Sequence, residues 1–106
     1  MAWVLLLGAG LLEVGWAYAM KRSEGFTLLG PSLVTIAGMI ASFALLSLAM
    51  RSLPLGTAYT VWTGIGAVGA FLVGVAVLGE ALTALRLGGA CFILLGIAMI
   101  RFAPAG

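Results

Sequence analysis

The sequence predicts an all-α membrane protein, with four transmembrane helices in one transmembrane domain covering residues 1–106. Two observations lead there. Hydrophobic residues make up 64% of the chain and charged residues only 8%, too little charge to clothe a water-soluble domain of this length. The apolar residues also fall into four runs of about 20, the length a helix needs to cross the hydrocarbon core, and charged residues close each run.

The first run extends from about residue 2 to residue 20, and Lys21-Arg22 closes it. Ala17-Tyr18-Ala19 fits the small-x-small pattern of a signal-peptide cleavage site. No basic residue precedes the run, however, and Glu13 and Trp16 lie inside it, so a retained span is expected. The second run covers about 31–50, with Pro31 in the first helical turn, where proline is tolerated, and Arg51 at its end. Pro54 and Gly56 are expected to break the chain in the short connection that follows. The third run covers about 57–78 and stops at Gly79-Glu80; the fourth covers about 82–101, with Arg101 closing it. The uninterrupted apolar stretch of the fourth, Leu87 to Ile100, is short, so Arg86 is expected to snorkel toward the interface.

Short connections make neighbouring helices antiparallel. The amino terminus, the 51–56 loop and the carboxyl terminus then share one side, with Arg51 and Arg101; the other side holds Lys21, Arg22 and Arg86. Orientation follows the cytoplasmic excess of Lys and Arg, and two against three is almost no instruction. Either a weak bias fixes one topology, with the 21–22 side inside, or the chain inserts both ways.

Several function classes drop out. The five basic residues stand singly or in one pair at the ends of apolar runs, which is no nucleic-acid footprint. One cysteine and no histidine leave no intrachain disulfide, no zinc set and no Ser–His triad. No cofactor and no metal site are expected. Glu24 and Glu80 lie in connections and read as solvated.

Glu13 is different. It lies 11 residues beyond Ala2, about 17 Å along a helix and so near the bilayer middle. An ionisable group at that depth is costly and marks a functional site. Gly10 and Trp16 share its helical face at spacings of three, Gly10 leaving room and Trp16 forming an aromatic wall. Tyr59 and Trp62 have the same spacing in the third span. Ser42 is the polar residue nearest the middle of the second, one turn from Met39. A carboxylate, three aromatic rings and a hydroxyl at similar depth describe a cation site: charge from Glu13, ring faces from Trp16, Tyr59 and Trp62, orientation from Ser42. A bare metal ion wants more oxygen ligands than one carboxylate supplies, so an organic cation or a proton fits. A carboxylate that trades a proton for a cation is a minimal exchanger, provided the site opens to one side at a time.

Four short helices are too few to enclose such a site and rock around it. A dimer of oppositely oriented chains would be the two-chain counterpart of the inverted repeats in larger transporters. The 16 glycines suit close helix packing in lipid. Gly64 and Gly66, with Gly69, make either a packing face or a bend in the third span, and Gly89 and Gly96, seven apart, share a face of the fourth suited to helix–helix contact.

Taken together, these residues resemble the small multidrug resistance family, and within it the guanidinium exporters, over nearly the whole chain. The marks are Gly10-Leu11-Leu12-Glu13-Val14-Gly15-Trp16, Gly25-Phe26-Thr27 through Pro31-Ser32, Ser42, and the long run from Leu53-Pro54-Leu55-Gly56 to Trp62-Thr63-Gly64-Ile65-Gly66-Ala67. The subtype rests on Trp16, on Met39 and Ser42, and on Trp62-Thr63-Gly64; Leu28 departs from the basic residue many guanidinium exporters carry in that loop. The resemblance implies an antiparallel dual-topology homodimer in the bacterial inner membrane that exports guanidinium in exchange for protons. It implies a site shared by both copies of Glu13 and lined by Trp16, Ser42, Tyr59 and Trp62, a bend at Gly64 and Gly66, and a dimer contact at Gly89 and Gly96. Guanidinium chemistry agrees: a planar cation with a donor fork for a carboxylate and a face for aromatic rings. Two other readings stand beside it, a quaternary-ammonium or multidrug cation exporter of the same fold and a non-transporting membrane assembly subunit.

Overall fold

Four helices cross the protein in the computed structural model, which describes residues 1–104. They are α1 (Ala2–Arg22), α2 (Leu29–Ala49), α3 (Leu55–Ala76) and α4 (Ala84–Phe102). At 1.5 Å per residue each is roughly 30 Å long, matched to the hydrocarbon core, and all four are apolar enough to span it. The molecule is a slab, 43 × 34 × 17 Å. Helix α1 packs against both α2 and α3, whereas α4 runs beside α3 alone. Leu6, Ala9, Leu46, Ala49, Ala58, Val61 and Trp62 form the buried core, where the three first helices meet near the 51–54 turn. Helix α4 buries no residue.

Helix ends differ from the expected ones by about two residues, each for a local reason. Helix α1 runs on to Arg22 because Ser23 caps it: its hydroxyl donates to Met20 O at 2.6 Å and accepts from Phe26 N–H at 3.0 Å. The chain then reverses through three successive positive φ angles at Glu24, Gly25 and Phe26. Helix α2 starts at Leu29 rather than Pro31. Proline is still in the first turn, where its missing N–H leaves no bond unmade. Only Pro54 stands outside α3; Gly56, expected as a second breaker, is already helical. Helix α3 stops at Ala76 rather than residue 78, and the chain turns at Gly79, with φ of 72°.

Helix α4 begins at Ala84, not 82, because the Thr83 hydroxyl accepts the Arg86 N–H at 3.1 Å. Arg86 does reach back from the helix middle: it bonds Ala81 O and lies 3.3 Å from Glu80 Oε1. At the opposite end the Arg101 guanidinium lies 4.7 Å from the Trp3 ring centroid, so the starts of α1 and the end of α4 share one face of the membrane.

The Thr83 cap gives a first expectation. An N-cap hydroxyl contributes about 1 kcal/mol, so Thr83→Ala should speed hydrogen exchange at the Arg86 amide about fivefold without changing exchange in the middle of α4. Unchanged exchange at Arg86 would show that the cap contributes nothing.

Candidate functional site

Glu13 projects from the middle of α1 onto α3, and α3 receives it at Gly66. A Cβ at that position would collide with the Glu13 carboxylate, so only glycine lets the acid lie against the helix. One residue before, Ile65 fills the space beside Gly10: a Cβ on Gly10 would stand 2.5 Å from Ile65 Cγ2. The room expected next to the carboxylate at Gly10 is therefore taken up by helix packing, and the room the acid uses comes from α3.

Ser42 is fully buried and ties three helices together. Its hydroxyl donates to Ala9 O of α1 at 2.7 Å and accepts from the Trp62 Nε1–H of α3 at 3.0 Å. The bond leaves α2 altogether instead of returning to its own backbone, the common fate of a serine in a lipid-facing helix. Trp62 is thereby held in one orientation, with its ring at 5.5 Å from Tyr59 and 5.6 Å from Phe43. Phe43 meets Trp16 edge-on, with centroids 6.3 Å apart and planes at 69°. Four rings in the order Trp16, Phe43, Trp62, Tyr59 thus form one continuous aromatic file across α1, α2 and α3.

Phe43 is the member that sequence reasoning missed. Its signal was its place on the Met39–Ser42 face of α2, at a spacing of four from Met39. Met39 itself is half-buried one turn from Ser42, and Tyr59 is 53% exposed at the outer end of the file.

Two polar atoms in this region are buried and have no hydrogen-bond partner among the described residues: Glu13 Oε1 and Trp16 Nε1. Buried polar groups are nearly always paired, and each orphan costs free energy. One is an acceptor and one a donor, a helical turn apart on α1. A donor-rich cation would satisfy the first. It cannot satisfy the second, which needs an acceptor. Among the described residues no three of His, Cys, Asp and Glu come together; the acid lies against Gly66 of α3 and the Trp16 side chain packs at Gly38 of α2.

The remaining candidates are the glycines of α3 and α4, of which only Gly66 touches Glu13. Helix α3 continues unbroken through Gly64 and Gly66. Gly64 faces α4, where a Cβ would stand 2.7 Å from Ile97 Cδ1. A Cβ on Gly89 or Gly96 would meet no atom of another helix within 4 Å, and both glycines line shallow clefts between α3 and α4, Gly96 with Thr63 and Ile93 and Gly89 with Phe71 and Arg86.

Comparison with known proteins identifies the family. Residues 1–95 match the family model of the Small Multidrug Resistance protein. A guanidinium exporter of Escherichia coli K12 is 55% identical over 97 residues, 92% of each chain. Guanidinium exporters of Citrobacter freundii and Salmonella typhimurium are 58% identical over the same share of both chains. With its four spans and its buried acid, the chain belongs to the small multidrug resistance family.

Proposed function

We propose that this chain is a proton-coupled antiporter that exports guanidinium and related small guanidinyl cations, and that it works as an antiparallel dual-topology homodimer in the bacterial inner membrane. The observation that carries the reading is the unpaired Glu13 Oε1, one turn of α1 from Trp16, the first ring of the aromatic file. Guanidinium offers a donor fork to the carboxylate and a flat face to the rings. The names of the relatives support the same cargo. A quaternary ammonium ion has no N–H to give and would leave the acceptor unpaired.

The orphaned Trp16 Nε1 supports the dimer. The cargo has no acceptor, so the group that satisfies this donor comes from elsewhere, and the Glu13 carboxylate of a second copy has the right chemistry. Gly89 and Gly96 along α4 offer the close approach that lipid-embedded helices use to associate. Gly64 and Gly66 supply the flexible point at which α3 would bend as the site changes sides.

Exchange then needs no further parts. A protonated Glu13 carries no charge for the cation to bind, and a bound cation excludes the proton. Each turnover trades one for the other as the dimer opens alternately to the two sides.

Four results are expected. Glu13→Gln, nearly isosteric but unable to ionise, should abolish both guanidinium binding and proton exchange in liposomes while leaving a folded protein. In the parent, protonation removes the charge that holds the cation, so the guanidinium Kd should rise as pH falls through the neutral range; a flat Kd would contradict competition. Next, one or two lysines added beside either terminus should bias orientation strongly, because the natural count is so evenly poised. Single-orientation variants should transport poorly alone and recover when two opposite ones are mixed. Full transport by one fixed-orientation variant would overturn the antiparallel dimer. Finally, Gly96→Ala adds a Cβ that meets no other helix of its own chain within 4 Å. It should leave the protomer's helix content unchanged and shift cross-linked dimer to monomer; an intact dimer would exclude this face.

A further inference from the structure

The connection between α3 and α4 already holds a guanidinium group, and the group is the chain's own. After the turn at Gly79, the Glu80 N–H donates to Gly74 O at 3.0 Å. That bond lays the Glu80 carboxylate across Gly74, where a Cβ would stand 2.7 Å from Glu80 Cδ. Gly74 thus does for Glu80 what Gly66 does for Glu13. The two glycines are eight residues apart on α3, about 12 Å along the helix.

Arg86 occupies the resulting site. Its Nη2 donates to Glu80 Oε1 at 3.3 Å, its Nη1 donates to Ala81 O, and its guanidinium carbon stands 5.3 Å from the Phe71 ring centroid. A carboxylate, a carbonyl and an aromatic face are the groups to which a free guanidinium ion would turn. Below Glu80, a crevice of about 150 Å³ runs inward between α1 and α3 past Tyr18, Lys21 and Val73 to Val14, the neighbour of Glu13.

We propose that Glu80, the Ala81 carbonyl and Phe71 form a second, outer guanidinium site, and that Arg86 is its tethered competitor. This rests on the reading of guanidinium as cargo. An ion from the aqueous phase displaces Arg86 and resides between Glu80 and Phe71, where the α1–α3 crevice lined by Glu80 meets the α3–α4 cleft lined by Phe71, about two turns of α3 from the glycine that receives Glu13. The Glu80–Arg86 pair is an exposed one, with both side chains 40–45% accessible, and such pairs are weak. Displacement is therefore easy, and so is departure, as a stop on a route requires. Lys21, which lines the same crevice, opposes a long stay.

The test measures binding at the outer site with the inner one removed. Full-length protein carrying Glu13→Gln is titrated with guanidinium chloride in lipid bicelles, and the amide resonances of Gly79, Glu80 and Ala81 are followed. Saturable shifts are expected. Adding Arg86→Gln should tighten guanidinium about threefold, the scale of the exposed pair it releases, and should tighten tetramethylammonium, which has no N–H, by less. Adding Glu80→Gln should remove the saturable shifts. Arg86→Lys, which keeps the charge but loses the planar fork, should also tighten guanidinium and serves if Arg86→Gln does not fold. Shifts that survive Glu80→Gln, an affinity indifferent to Arg86, or an equal gain for tetramethylammonium would overturn the outer site. Guanidinium uptake by the parent protein in liposomes separates the two readings. Absent uptake sinks guanidinium as cargo, and with it the outer site's role; normal uptake with silent loop resonances sinks the outer site alone.

Discussion

Everything in this protein is arranged around one carboxylate that the bilayer would expel. Glu13 can stay near the middle of α1 only if its surroundings replace the water it has lost. Helix α3 supplies a bare patch of backbone at Gly66, Ser42 locks Trp62, and the aromatic file from Trp16 to Tyr59 supplies a polarizable wall. None of these groups donates a hydrogen bond to the acid within one chain. The omission is what the proposed exchange requires. A fully satisfied carboxylate would be a structural group, inert toward a cation. An unsatisfied one costs free energy until something charged or protonic arrives, and that cost is the driving force for binding.

The same logic extends to the helices. The core lies where α1, α2 and α3 meet, and α4 buries nothing. In water such a helix would be a liability. In lipid an exposed apolar face carries no penalty, because acyl chains are as apolar as leucine side chains, and association depends on close packing instead. Helix α4 is therefore free to be held by α3 alone and to leave most of its surface to lipid or to another helix. The proposed dimer would complete such a protomer, and the orphaned Trp16 donor is the group at the site that a second copy would satisfy.

Most of the fold was readable from apolar run length, because the bilayer sets that length from outside. The depth of Glu13 was readable for the same reason. Partner identity was not. A helical period says that Gly10, Glu13 and Trp16 share a face, but not that Ile65 fills the hollow at Gly10 or that Gly66 receives the acid. Those are facts about the register of α3 against α1, and one chain's sequence carries no signal for it. Phe43 escaped notice because a phenylalanine in a lipid-facing helix needs no explanation; only its contacts with Trp16 and Trp62 single it out. The helix ends were displaced by caps at Ser23 and Thr83. A short polar residue in a membrane-protein loop reads simply as solvated, so its bond to the helix end was invisible in composition.

The chain's own arginines show how demanding the proposed cargo is. An arginine side chain ends in the very group that the site is proposed to bind, so each one is a potential permanent occupant of Glu13. Three arginine guanidinium groups are instead spread over aromatic rings near helix ends: Arg22 over Tyr18 at 5.9 Å, Arg86 over Phe71 at 5.3 Å, and Arg101 over Trp3 at 4.7 Å. Arg22 adds a hydrogen bond to the Tyr18 hydroxyl at 3.2 Å. Rings hold these groups through the same cation–π attraction that Trp16 and Trp62 would exert on a free ion. Each guanidinium is thereby kept at the interface, roughly half a helix length from the acid. Lysine would serve orientation counting equally well, but its compact, strongly hydrated ammonium has no flat face to lay on a ring. Aromatic anchoring of the arginines thus does two jobs: it seats the helix ends in the interface, and it keeps tethered guanidinium groups out of a site that works only while it stays open to free ones.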